Sequence, residues 1–184
     1  MTWTVANRKE ILKCIPFNIE ELKIHKNDSP LSHAYYRIMS PDYVNILPIT
    51  RDGKAIMIKQ FRAGSESTVL EIPGGIVDPH ENRDPTMAAA RELEEETGFC
   101  TQKILPLLSV NPNPALQNNK LHLFLGLDCE PTFNRKHFPD KDEDITIELI
   151  DVTQLDTLVR TGRIDHSLCC LCIMLAQKYL DSFH

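Results

Sequence analysis

Apolar and polar positions along the chain alternate in short runs, broken by three stretches with helical signals. Residues 17–24 and 33–39 read as two strands joined by the turn-rich Lys26-Asn27-Asp28-Ser29-Pro30. Residues 43–49 and 55–61 are apolar strands around Arg51-Asp52-Gly53, and Asp-Gly is a strong hairpin signal. A short strand at 68–72 leads into Pro73-Gly74-Gly75. Residues 121–126 and 145–150 alternate as strands. Asp84-Pro85 reads as an N-cap followed by proline at the first helical position, opening a helix over 85–97 that Gly98 closes. Thr153 is placed as the cap of a helix ending near Gly162. Asp165 is placed as the cap of a last helix with Leu168, Leu171, Cys172 and Leu175 on one face. Strands interleaved with helices in this way predict a mixed sheet covered on both sides. No repeat or linker divides the chain, but residues 1–40 look semi-independent of residues 41–184.

The helix over 85–97 carries the chemistry. It holds Arg91-Glu92-Leu93-Glu94-Glu95-Glu96-Thr97-Gly98. Residues three and four apart share a helix face, so Glu92, Glu95 and Glu96 cluster, with Ala89 and Leu93 on another side. Like charges held this closely are costly without a partner. Hard divalent cations such as Mg²⁺ take oxygen ligands and bridge to substrate phosphates. The cluster therefore reads as a phosphate-directed metal site; the competing reading is a solvated acidic helix.

The stretch resembles the Nudix box. Gly75, Glu81, Arg91, Glu92, Leu93, Glu95, Glu96, Gly98 and Phe99 follow the family pattern in order. One departure is plain: nine residues, not seven, separate Glu81 from Arg91. The extra pair is placed in the loop before the helix, which leaves the register of the three glutamates intact. The resemblance implies an α+β fold, a Nudix-type α/β/α sandwich with a mixed β-sheet, to which the N-terminal β-rich segment is added. It implies metal binding by the Gly74 carbonyl, Glu92, Glu95 and Glu96, with Mg²⁺, or alternatively Mn²⁺, as cofactor. It also implies that Arg91 is structural and pairs with a box glutamate. The reaction implied is attack of water on a diphosphate phosphorus.

The general base is a box glutamate such as Glu95, or a loop carboxylate. The acidic loop over 138–144 precedes the strand at 145–150, and the family resemblance favours Glu143; no spacing rule separates it from Asp142 or Asp144. Outside the box, Gln60-Phe61-Arg62 followed by Leu70-Glu71-Ile72-Pro73-Gly74-Gly75 is similar to the ADP-ribose and nucleoside-diphosphate-sugar branch. So is Pro114, fifteen residues after Phe99. Arg62, Glu71 and Pro114 are accordingly the substrate-binding candidates. Arg62 offers a fork of donors to phosphate or ribose, the alternative being a surface ion pair with Glu71. Trp3, Phe17, Tyr35 and Tyr36 offer stacking faces for a base, although such aromatics are more often core. The branch implies a homodimer built by exchanged N-terminal strands. It also implies ADP-ribose as substrate; the alternatives are a nucleoside-diphosphate sugar, NADH, a diadenosine polyphosphate, or nucleotide binding without cleavage.

Composition narrows the partners. Apolar content of 42% and charged content of 25% suit one globular domain with a sizeable core. A net charge of −6 argues against nucleic acid as a partner. No stretch approaches the roughly 18 apolar residues of a membrane span, which leaves no membrane partner. The N-terminal MTWTVANRKEILKC lacks a signal-peptide core, so a cytoplasmic location is expected. In that compartment the six cysteines are not a disulfide framework. Cys169, Cys170 and Cys172 lie in the apolar run LCCLCIMLA and read as core rather than as a soft-metal site.

Overall fold

A computed structural model describes residues 2–78, 84–139 and 144–182. The chain forms two compact units, Met1–Asp42 with Val110–Leu121, and Tyr43–Ser109 with His122–His184.

The first unit is a three-stranded antiparallel meander of β1 (Trp3–Lys13), β2 (Asn18–Lys26) and β3 (Ser32–Met39). The strands β2 and β3 occupy the two predicted positions, with β2 running on to Lys26. Strand β1 was not expected. All eleven of its residues are exposed, so it carries no in–out alternation for a pattern reading to detect. Residues 110–121 join this unit through Ile38, whose amide donates to the Leu116 carbonyl at 2.7 Å.

The second unit holds an eight-stranded sheet. Its strands are β4 (Tyr43–Thr50), β5 (Lys54–Arg62), β6 (Ser67–Glu71), β7 (Gly74–Ile76), β8 (Phe99–Cys100), β9 (Lys103–Val110), β10 (Leu121–Pro131) and β11 (Thr146–Asp151). The main order is β11-β5-β4-β10-β8, with β6 on β5, β7 on β4 and β9 on β10. Gly53, at φ 77°, makes the predicted turn between β4 and β5. Six consecutive residues of β4 are buried, as expected of a central strand covered on both faces. Helix α1 (Pro85–Thr97) supplies cover through Ala88, Ala89 and Leu93, which cluster with Val44, Ile46 and Phe124. Helices α2 (Leu155–Arg160) and α3 (Ser167–Asp181) follow β11, and α3 also packs on β4.

The ends of α1 fall where the sequence places them. Asp84 accepts the Thr86 amide at 2.9 Å, Pro85 opens the first turn, and Gly98 closes the helix at φ 70°. The later caps differ. Asp151, not Thr153, caps the 3-10 turn Val152–Gln154, because its carboxylate accepts both the amide and the hydroxyl of Thr153, at 3.0 and 2.6 Å. His166, not Asp165, stands before α3 and makes no capping bond. The buried face of α3 is Cys169, Cys172, Ile173 and Ala176, while Leu168, Leu171 and Leu175 are half-buried. The small thiol and methyl side chains let the helix approach the sheet closely: Cys172 Sγ donates to the Phe124 carbonyl at 3.4 Å. Strand β9 was also unforeseen; its Pro106 argues locally against a strand.

Candidate active site

Strand β7 pairs with β4 through Val44 with Gly75 and Asn45 with Gly74, which brings the glycine turn over the last turns of α1. The Gly74 amide donates to Glu96 Oε2 at 2.9 Å. A Cβ on Gly75 would stand 2.1 Å from Glu92 Oε1, and one on Gly74 would stand 2.3 Å from the Val44 carbonyl oxygen. A side chain at either place would displace these atoms, and with glycine the backbone and carboxylates meet without an intervening side chain. Glu92 and Glu96 are themselves nearly buried, at 9% and 5% exposure.

Arg91 ties this face together. Its Nη1 lies 2.8 Å from Glu92 Oε1 and 2.5 Å from Glu95 Oε2, and its Nη2 donates to the Ile76 carbonyl at 2.8 Å. One guanidinium thus orients two of the three glutamates and anchors them to β7. Arg135, which sequence reasoning missed, braces the same helix from another side. It donates to the Glu95 carbonyl at 2.5 Å and its guanidinium lies 5.0 Å from the Phe138 ring centroid. Nothing in its local sequence signalled this, since the contact spans forty residues.

Buried carboxylates packed against close backbone form an all-oxygen donor set of the kind hard divalent cations prefer. The buried carboxylates of Glu92 and Glu96 beside the Gly74–Gly75 turn therefore fit such an ion.

A second feature adjoins this one through Ile72-Pro73. Arg62 grips Glu71 with both arms of its fork, Nε to Oε1 at 2.9 Å and Nη2 to Oε2 at 2.6 Å. The ion pair with Glu71 considered above is thus present, and only its Arg62 end is at the surface, at 42% exposure against 2% for Glu71. Burial pushes the Glu71 carboxyl upward, but hydrogen bonds from His166 and Arg62 outweigh it and hold the group at about 2. The bond to Glu71 raises the Arg62 guanidinium above its ordinary range, and the charge of Glu96 adds to it. The two features therefore feel each other electrostatically. Arg62, Glu71, Val69, Asp165 and His166 line a cleft of about 500 Å³.

The other candidates fall elsewhere. Pro114 belongs to the first unit, just after Asn113, whose carbonyl accepts the amides of Leu116 and Gln117 at 3.0 and 2.7 Å. Glu143 and Glu81 lie outside the described residues. Trp3, Tyr35 and Tyr36 are exposed rather than core, at 44%, 50% and 55%, and Phe17 is half-buried. No described helix is long and apolar enough to cross a membrane.

Comparison with known proteins bears on this arrangement. The chain is 35% identical to an ADP-ribose pyrophosphatase of Bacillus subtilis over 121 residues, covering 66% of this chain and 63% of that one. It is 31% identical to a methanol dehydrogenase activator of Bacillus methanolicus over 116 residues, covering 63% and 60%. It thus spans less than two-thirds of either relative. The crystal structure of an ADP compounds hydrolase superposes with a TM-score of 0.86 at 22% identity, covering 99% of this chain and 96% of the other, which establishes a shared fold. The NUDIX domain family matches residues 39–167, a span that takes in the glycine turn, the arginine-braced helix and the Arg62–Glu71 pair. With the box residues, the α+β sandwich and that match in agreement, the chain belongs to the Nudix family.

Proposed function

We propose that the protein is a Mg²⁺-dependent pyrophosphohydrolase that cleaves ADP-ribose into AMP and ribose 5-phosphate. The observation that carries this reading is the fold of Gly74–Gly75 onto buried Glu92 and Glu96, with Arg62 held within electrostatic reach of Glu96. The name of the Bacillus subtilis relative supports the choice of ADP-ribose. In this reading the Gly74 carbonyl, Glu92, Glu95 and Glu96 hold the cation, with Mn²⁺ as the alternative ion. Bound there, a divalent ion would neutralise phosphate oxygens and lower the pKa of water.

The chain's own residues do the rest. Arg62 offers the donors that Glu71 leaves unused to a substrate phosphate. Glu71 fixes the direction of that fork, and Pro114 is the third substrate-binding candidate. A water oxygen bonds to one diphosphate phosphorus as the bridging P–O bond breaks. Glu143, or alternatively Glu95, takes the proton of that water. Arg91 keeps Glu95 oriented.

We assign residues 1–40 as a strand-exchange element of a homodimer and residues 41–184 as the hydrolase domain, in a cytoplasmic protein with neither nucleic acid nor membrane as partner. Trp3, Val5, Ile11 and Leu12, all exposed on β1, supply apolar surface for the partner subunit. Deleting residues 1–40 is expected to abolish dimerisation and raise KM; an unchanged KM in a truncated monomer contradicts the assignment.

A second reading, nucleotide binding that regulates another protein, draws on the activator named in Bacillus methanolicus. The complete set of Glu92, Glu95 and Glu96 favours hydrolysis. A panel of ADP-ribose, ADP-glucose, GDP-mannose, NADH and diadenosine tetraphosphate with Mg²⁺ separates the readings. Preferential cleavage of ADP-ribose supports the proposal. Preference for another compound overturns the substrate, and binding of ADP-ribose without cleavage favours the regulator. Isotopically labelled water identifies the phosphorus attacked.

A further inference from the structure

Cys169, dismissed above as core, has a neighbourhood that core packing does not explain. Its Sγ lies 3.3 Å from His166 Nδ1, and that nitrogen lies 3.5 Å from Glu71 Oε2. The three ligand atoms all lie within 4.8 Å of one another. Cys169 and Glu71 are buried, at 0% and 2% exposure, while the His166 side chain keeps 33% of its surface. His166 and Cys169 stand three residues apart at the start of α3 and so share one side, and Glu71 meets them from the end of β6.

We propose that Glu71, His166 and Cys169 form a second cation site, for a borderline-soft divalent ion of the Zn²⁺ kind, distinct from the box glutamates. Bond lengths of about 2.3 Å to sulfur and about 2.0 Å to nitrogen and oxygen set the edges of a tetrahedron around such an ion. Those edges are about 3.5 Å from sulfur to nitrogen and about 3.3 Å from nitrogen to oxygen. The observed 3.3 and 3.5 Å are within a few tenths of both. A thiol, an imidazole and one carboxylate also make a donor set that Mg²⁺ does not select. The half-exposed side of His166 opens on the cleft of about 500 Å³, where water or Asp165 can take the fourth position. On binding, the Cys169 S–H gives its proton to solvent, one metal–sulfur, one metal–nitrogen and one metal–oxygen bond form, and the six-coordinate aqua ion sheds five waters, keeping one in the fourth position unless Asp165 displaces it. The ion and Arg62 Nη2 then compete for Glu71 Oε2, while Arg62 Nε keeps Oε1. This site does not depend on the hydrolase reading.

Cobalt(II) reports the site directly. The full chain, reduced and freed of metal, is titrated with Co²⁺ in excess Mg²⁺, so that the oxygen-only face is already served. One equivalent should give a thiolate-to-cobalt charge-transfer band in the near ultraviolet and the intense visible bands of a four-coordinate ion, both bleached by Zn²⁺. Cys169→Ser should lose the charge-transfer band, and His166→Ala should weaken Co²⁺ binding by at least about tenfold. Cys170→Ser and Glu92→Gln should keep the band. Thermal melting without metal checks the fold of each variant; if Cys169→Ser does not fold, the wild-type titration and His166→Ala decide. No charge-transfer band in the wild type, a band that survives Cys169→Ser, or Co²⁺ affinity unchanged in His166→Ala would overturn the proposal.

Discussion

Gly74 and Gly75 are adjacent, yet adding one methyl group to each should damage different properties. On Gly75 a Cβ would stand 2.1, 2.4 and 2.7 Å from Oε1, Cδ and Oε2 of Glu92, so it overlaps the whole carboxylate. Ordinary contact needs about 3.5 Å, so the carboxylate must retreat by about 1 Å or more. It is the far end of a flexible side chain and can swing away at little cost to folding. A displacement of about 1 Å in a group that positions reactants can cost roughly 100-fold in rate. On Gly74 the obstacle includes backbone, the Val44 carbonyl oxygen at 2.3 Å and Asn45 Cα at 3.1 Å, beside the Asn45 Nδ2 at 2.3 Å. Strand β7 would have to pull away from β4, an overpacking strain of about 1–3 kcal/mol. In a chain of this length that lowers Tm by on the order of 5 °C. The assay is kcat/KM for ADP-ribose beside thermal melting. Gly75→Ala should lose about two orders of magnitude in kcat/KM with a nearly wild-type Tm, whereas Gly74→Ala should melt early. Full activity in Gly75→Ala, or equal Tm losses in the two variants, would refute the steric argument.

Other outcomes follow from the same contacts. Glu71 titrates at about 2 against an ordinary 4.5, a depressed value, so the stability it contributes is present above about 4.5 and is lost as pH falls towards 2. That contribution is on the order of 3 kcal/mol; Glu71→Gln should flatten the fall of denaturant midpoint over this window, and an unchanged slope would contradict it. Arg91→Lys keeps the charge but cannot hold Glu92, Glu95 and the Ile76 carbonyl together. Its kcat should drop about 10- to 100-fold with little change in Tm, and wild-type kcat would show that the brace is dispensable.

Local rules made α1 legible from the sequence, because Asp84, Pro85 and Gly98 each act on the backbone within a few residues. The glutamate face followed from helical spacing alone. What escaped was written across long distances or in no pattern at all. Strand β1 is exposed along its length, and its polar and apolar residues fall on equally wet faces. The leucines of α3 drew the reading because leucine looks more like core than cysteine or alanine does, whereas Cys169, Cys172, Ile173 and Ala176 form the buried face and Leu168, Leu171 and Leu175 stay half-buried. Arg135 on Glu95 and Glu71 on His166 pair residues from distant elements, so neither left a local trace. The cysteine run was read by its apolar company, and only the fold brings Glu71 to it.

In the proposed hydrolase Glu96 works through its charge, at a place where its shape is also needed. Glu96→Gln tests this most directly, because the glutamine carbonyl can still accept the Gly74 amide that Glu96 Oε2 now accepts at 2.9 Å. The measurement is the rate of ADP-ribose hydrolysis with saturating Mg²⁺, wild type beside variant, with Tm recorded for both. Rapid cleavage by the wild type is expected, with a fall of at least about 100-fold in kcat for Glu96→Gln and little change in Tm. A variant that hydrolyses ADP-ribose at the wild-type rate would contradict it.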